Sequence, residues 1–155
     1  MTETAGEDPT IVSEFGAAIL LGMAGNLSGT ATTLLAAPAP KHFSCYCGPE
    51  NWGGTEQHPQ PNFRWTFDAV VPDRFLTAYF FPGWRAAIGT GAVRGPMCSY
   101  NSVNGVASCS DDFFNNQLLR KEWGMDGFIV SGKDLDASPG RSELALSRLS
   151  LGCCA

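Results

Sequence analysis

Polar side chains gather at three places where short apolar runs end. Lys41-His42 sets an ammonium donor beside an imidazole, Ser99-Tyr100-Asn101 holds a phenol hydroxyl between two polar neighbours, and the stretch from Ser131 ends on the Asp134 carboxylate. Packing alone does not require such gatherings, although loops after strands are polar by default. Read without context, Lys41-His42 is equally a solvated surface pair and Tyr100 a half-buried strand tyrosine. Cys45-Tyr46-Cys47 brings two thiols one residue apart, which could hold a metal or could be buried thiols. The six cysteines form no Cys-x-x-Cys pair, and His42 and His58 lack zinc-finger spacing, so no metal and no cofactor is expected. Six cysteines also suit a chain derived from a secreted, disulfide-bonded ancestor.

The elements that must position these residues read as an alternation. A helix is expected from Pro9 to Ala24, with Asp8 as N-cap and Gly25-Asn26 as stop. Ile11, Phe15, Ala18, Ile19 and Gly22 share a helical face, which should be buried. A short strand is expected near Thr32 to Ala36, before Pro38 and Pro40 remove ladder donors. Cys45 to Asn62 reads as a long loop rich in Gly, Pro and Asn.

A second helix should start at Pro72-Asp73, bury Phe75, Leu76, Tyr79 and Phe80, and end or kink at Pro82. An apolar piece follows through Ala92-Val93 and Met97 to Tyr100, split by Gly95-Pro96. A third helix from Asp112 to Trp123 is capped by Asp111 or Asp112, with Phe114 and Leu118 on one face. Gly127 to Ser131 reads as a strand buried in a parallel sheet. The pattern predicts an α/β protein with parallel strands, whose chemistry sits beyond the carboxyl ends of those strands.

Composition closes off several classes. The 155 residues hold 44% apolar and 16% charged side chains, against roughly 25% charged in an average domain, so a core is affordable and disorder is not expected. A net charge of −5 with no basic stripe argues against nucleic acid as a partner. The longest apolar run, Phe15 to Gly25, is eleven residues, short of the ~20 of a membrane helix, so no membrane partner is expected. Acidic residues before that run do not suit a signal peptide.

Taken together, four stretches in order resemble glycoside hydrolase family 3: Lys41-His42-Phe43; Asn51-Trp52-Gly53-Gly54; Met97-Cys98-Ser99-Tyr100-Asn101-Ser102-Val103-Asn104-Gly105; and Leu119 through Ser131. The similarity begins at Glu3 to Pro9 and covers most of the chain to Ser131. Cys98, with Cys109 shortly after, is most similar to the β-xylosidase and arabinofuranosidase branch, with the β-glucosidase branch close behind. The resemblance implies a piece of a (β/α)8 TIM barrel, with residues 3–136 as a partial barrel domain and 137–155 as an unassigned tail. A full barrel takes about 250 residues. It implies retaining, exo-acting hydrolysis of terminal β-linked sugars, with a β-xyloside, arabinoside or β-glucoside as partner.

On the same ground Lys41 and His42 are expected to bind sugar hydroxyls and Tyr100 to lie beside the reacting centre. Retaining hydrolysis needs two carboxyl groups about 5 Å apart. In the family the nucleophile is the Asp directly after a Val-Ser that ends a barrel strand. Here Val130-Ser131 is followed by Gly132. Asp134 is a poor substitute, because two residues of strand rise displace it by about 6.6 Å where about 0.5 Å is tolerated. The family's Arg-rich segment and its acid/base have no counterpart in these residues. The expectation is a weakly active or inactive glycosidase-type domain, the alternative a non-catalytic carbohydrate-binding or interaction remnant.

Overall fold

Asp8 opens the first helix as its position before Pro9 predicts. In the computed structural model, which describes residues 5–26, 33–47 and 67–131, Asp8 Oδ1 accepts from Thr10 N at 2.8 Å and from Ile11 N at 3.0 Å. These bonds satisfy two amides that the helix α1 (Pro9–Ala24) leaves open at its start. At the other end Gly25 takes φ 67°, and the N–H groups of Gly25 and Asn26 return to the carbonyls of Gly22 and Leu21. That left-handed turn is open to glycine without a Cβ penalty.

The buried face of α1 is not the expected one. Ile11, Phe15 and Ile19 are 56%, 52% and 43% exposed, whereas Leu20 and Ala24 are buried. The helix is apolar nearly all round, so periodicity alone cannot select a side. Packing against the later helix α3 (Phe81–Gly89) selects it.

The strand expected near Thr32 to Ala36 is also displaced. Residues 33–40 form no strand, and the chain enters the sheet at β1 (Lys41–Phe43), immediately past Pro40. Pro38 and Pro40 have no N–H to offer a ladder, yet their carbonyls accept from Arg94 N at 3.3 Å and Met97 N at 3.0 Å. Lys41 and His42 therefore lie within a strand, where a loop was expected.

After β2 (Asp68–Ala69) the second helical region comprises α2 (Asp73–Phe75), a wide π-helical stretch Leu76–Phe80, and α3. It runs through Pro82, where an end or kink was expected. The Phe81 N–H reaches back five residues to Leu76 O, and this wider turn precedes the proline. The register shifts with it: Leu76 and Phe81 are buried, while Phe75 and Tyr79 face solvent.

Two small sheets follow. β1 pairs in parallel with β3 (Met97–Cys98), and Met97 forms a parallel bridge with Val130. Three chain passes thus lie side by side in one direction, as an α/β protein requires. The expected strand Gly127 to Ser131 joins this sheet at Val130, but Phe128 is exposed and the run is only half-buried. No strand among the described residues lies on its other side. The second sheet, β2–β4–β5, joins Asp68–Ala69 in parallel to β4 (Ser102–Val103), which forms a hairpin with β5 (Val106–Ala107). Asn104 and Gly105 at its tip take φ 50° and 85°, the two positive values of a tight hairpin turn.

Phe43 is the hub of the core. It is 1% exposed, and its ring lies 4.9 Å from Trp84, 5.4 Å from Phe114, 6.0 Å from Trp123 and 6.3 Å from Phe81. Phe114 and Leu118 are buried together on the π-helical segment Phe113–Glu122, as their spacing predicts. Asp111 starts that segment, its Oδ1 accepting from Phe113 N at 2.9 Å and Phe114 N at 3.2 Å.

Candidate functional site

Placement of His42 begins with an irregularity of β1. Lys41 pairs with Met97 and Phe43 with Cys98, so two steps along β1 answer one step along β3 and His42 is the additional residue. Such a bulge bends the strand and re-aims a side chain. Phe43, anchored in the core, holds the strand, while His42 is half-buried and Lys41 exposed. The peptide bonds Lys41–His42 and Phe43–Ser44 are cis.

Tyr46 joins the two parts of the candidate site. Its ring meets the His42 imidazole edge to face, centroids 4.7 Å apart, and meets the Tyr100 ring in the same manner at 6.1 Å. His42 and Tyr100, 58 positions apart in the sequence, are thereby linked through one aromatic ring. Both lie at or just past adjacent parallel strands.

Backbone polar groups lock this arrangement. Ser99 N donates to Phe43 O at 2.7 Å and Ser99 Oγ to Ser44 O at 2.9 Å. Asn101 Nδ2 donates to Cys45 O at 3.4 Å and to Ser102 O at 2.9 Å. Both neighbours of Tyr100 thus grip the two residues that precede Tyr46. A disulfide between Cys98 and Cys109, with Cα atoms 5.1 Å apart, closes the segment that carries Tyr100. Within it, Ser108 N and Oγ both donate to Asn101 O, at 3.1 and 2.8 Å.

The rest of the Ser99 to Gly105 run is structural as well. Asn104 Oδ1 accepts from Val71 N at 2.8 Å and its Nδ2 donates to Val71 O at 2.9 Å. Gly105 N donates to Asp68 Oδ1 at 2.9 Å. The polar gathering around Tyr100 therefore has a packing role in each of these neighbours.

Electrostatics bear on the thiols. Burial pushes the Cys45 thiol up to about 11, against a lowering by Ser44. The Cys47 thiol is raised as well, its sulfur being partly covered where it meets Cys45 O although the residue as a whole is exposed. Protonated thiols are poor metal ligands. Among the described residues no three His, Cys, Asp or Glu side chains gather as a metal-ligand group. The reading of Cys45 and Cys47 as two buried thiols holds for Cys45 alone, because Cys47 is exposed. Burial also raises the Asp111 carboxyl, in spite of the two amides that it caps. No helix among the described residues is long and apolar enough to cross a membrane.

Gly132, Asp134 and Trp52 lie outside the described residues. Val130, two positions before Gly132, is hydrogen-bonded into the sheet beside β3, with Cys98 N donating to Val130 O at 3.0 Å. Tyr46 had no sequence signal, since it meets Tyr100 only through the pairing of two chain segments distant in sequence. The β4–β5 hairpin did have one, an Asn-Gly pair between Val103 and Val106.

Comparison with known proteins gives a consistent set of relatives. The family described as glycosyl hydrolase family 3 N terminal domain matches residues 1–138. The chain is 36% identical over 132 residues to beta-xylosidase/alpha-L-arabinofuranosidase 1 of Medicago sativa subsp. varia, covering 85% of this chain and 16% of that protein. It is 35% identical, with the same coverages, to beta-D-xylosidase 3 of Arabidopsis thaliana. Among solved structures, the GH3 exo-beta-xylosidase XlnD in complex with a xylobiose aziridine probe superposes with a TM-score of 0.80 and 27% identity, covering 96% of this chain and 19% of that one. DesR, a beta-glucosidase from Streptomyces venezuelae in complex with D-glucose, gives a TM-score of 0.61 and 30% identity, covering 81% and 13%. The chain thus spans about a sixth of the length of the curated relatives that it matches.

Proposed function

This chain belongs to glycosyl hydrolase family 3, and we propose from that premise that it builds part of a (β/α)8 barrel and one wall of its sugar subsite. The sugar is a terminal β-linked xylose or glucose, or the sugar of an arabinoside. Xylose is favoured by the names of the two plant relatives, both xylosidases, and by the exo-beta-xylosidase among the solved structures. The Lys41 ammonium donates to one hydroxyl and the His42 imidazole engages its neighbour, so that together they fix the orientation of the ring. Tyr100, beside the reacting centre, offers its hydroxyl to a carboxylate. The observation that carries this reading is the link from His42 through Tyr46 to Tyr100 at the ends of adjacent parallel strands.

A second reading concerns turnover. Gly132 occupies the place of the family's aspartate nucleophile and offers no oxygen to attack an anomeric carbon. That residue favours a domain that holds a sugar without cleaving it by the retaining route.

Titration of the full chain with xylose, arabinose and glucose, followed by NMR, tests the subsite. Resonances of His42 and Tyr100 should move together, with a Kd in the millimolar range and the strongest response to xylose. Lys41→Ala and His42→Ala should each abolish the response. An unchanged spectrum at high sugar concentration, or equal binding by both variants, removes the subsite.

A further inference from the structure

We propose that Tyr46 is a positioning residue, which holds the His42 imidazole in the orientation needed to meet a sugar hydroxyl. The proposal rests on the reading of His42 as a hydroxyl-binding group. His42 is the additional residue of a bulge, so the alternation of the β1–β3 ladder does not set the direction of its side chain. The Tyr46 ring, edge to face at 4.7 Å and 62°, supplies a wall for the imidazole instead. The wall is itself fixed. Ser44 and Cys45 are buried, their carbonyls accept from Ser99 Oγ and Asn101 Nδ2, and Cys45 takes the left-handed φ of 59° that turns the chain back toward His42. The Tyr46 ring also rests against Tyr100, at 6.1 Å.

An imidazole binds a hydroxyl through nitrogens in the ring plane, so rotation about its side-chain bonds breaks the geometry even where the ring stays in place. The ring contact of Tyr46 is the interaction to which this role is assigned. Phenylalanine should therefore replace it and an aliphatic residue should not.

The test uses the full chain and its histidine ring resonances. The sequence has two histidines, and a His58→Gln variant assigns His42. In the unsubstituted chain the His42 ring protons should show nuclear Overhauser contacts to the Tyr46 ring and a ring-current shift. Tyr46→Phe should keep both and bind xylose within about twofold of the parent, whereas Tyr46→Leu should lose the shift and weaken xylose binding about tenfold. A His42 resonance unmoved by Tyr46→Leu, or xylose binding unaltered by it, overturns the proposal. Where Tyr46→Leu does not fold, the parent chain decides: missing His42–Tyr46 contacts overturn the proposal, and contacts that persist in Tyr46→Phe uphold it. If those contacts are present but no sugar moves His42, the sugar subsite fails while the positioning of His42 by Tyr46 stands.

Discussion

Ser99 Oγ donates to the carbonyl of Ser44 at 2.9 Å across a sequence separation of 55, and both residues are buried. This bond ties the end of β3 to the turn after β1, so the segments that carry Tyr100 and Tyr46 are held as one unit. Ser99→Ala removes the donor and leaves a buried carbonyl with one bond fewer. The expected loss of stability is about 1–3 kcal/mol, read from urea unfolding. A variant as stable as the parent would show that water reaches this carbonyl.

The Cys98–Cys109 disulfide encloses Tyr100 with a sequence separation of 11. Closing a loop of this size stabilises the folded state by about 3 kcal/mol in the chain-entropy view. The double substitution Cys98→Ser and Cys109→Ser should lower the thermal midpoint and loosen the Tyr46–Tyr100 contact. Peptide mapping without reductant should recover the two cysteines on one linked species.

Cys45 and Cys47 should differ sharply in reactivity. With its thiol near 11, Cys45 carries about one thiolate in a thousand at pH 8, and it is also buried. Iodoacetamide should modify Cys47 first under native conditions, and Cys45 only after denaturation. Mass spectrometry at several times would show the order, and early modification of Cys45 would contradict its burial.

The cap of α1 gives a pH response. Bonds from the Ile11 and Thr10 amides hold the Asp8 carboxyl below its ordinary 3.8. A folded value below the unfolded one means that the stabilising effect is complete above the unfolded value and is lost as pH falls through the folded one. Amide protection at Thr10 and Ile11 should therefore decline below about pH 4. Asp8→Asn, which keeps an acceptor at the cap, should show protection independent of pH in that range.

Turnover is expected to be absent in the retaining mode. Loss of a covalent nucleophile elsewhere lowers kcat by on the order of 10⁶, so aryl β-xylosides should not be hydrolysed above the buffer rate. Gly132→Asp with an activated aryl β-xyloside should instead give a slow covalent adduct. The new carboxylate attacks the anomeric carbon, the bond to the aryl oxygen breaks, and the phenolate leaves with its electron pair. The peptide containing position 132 should gain the mass of one sugar. Hydrolysis by the unsubstituted chain that disappears in Asp134→Asn would mean that Asp134 serves as nucleophile.

Local chemistry determined a good part of this protein. The Asp8 cap, the Pro9 start and the Gly25 stop define α1, because capping depends on residues within one turn of the helix end. The ordered motifs likewise determined the family, with Lys41, His42 and Tyr100 as candidate residues. Tertiary packing decided what depends on distant partners. Periodicity could not say which face of the apolar α1 is covered, since packing on α3 makes that choice. The strand began past Pro40 because the ladder needs donors that Pro38 and Pro40 lack, and the helix passed Pro82 because a wide turn absorbed it. The bulge at His42 and the contact of Tyr46 with Tyr100 arise only where β1 meets β3. Contacts between segments so far apart in sequence leave no local pattern, and they form only when the chain folds.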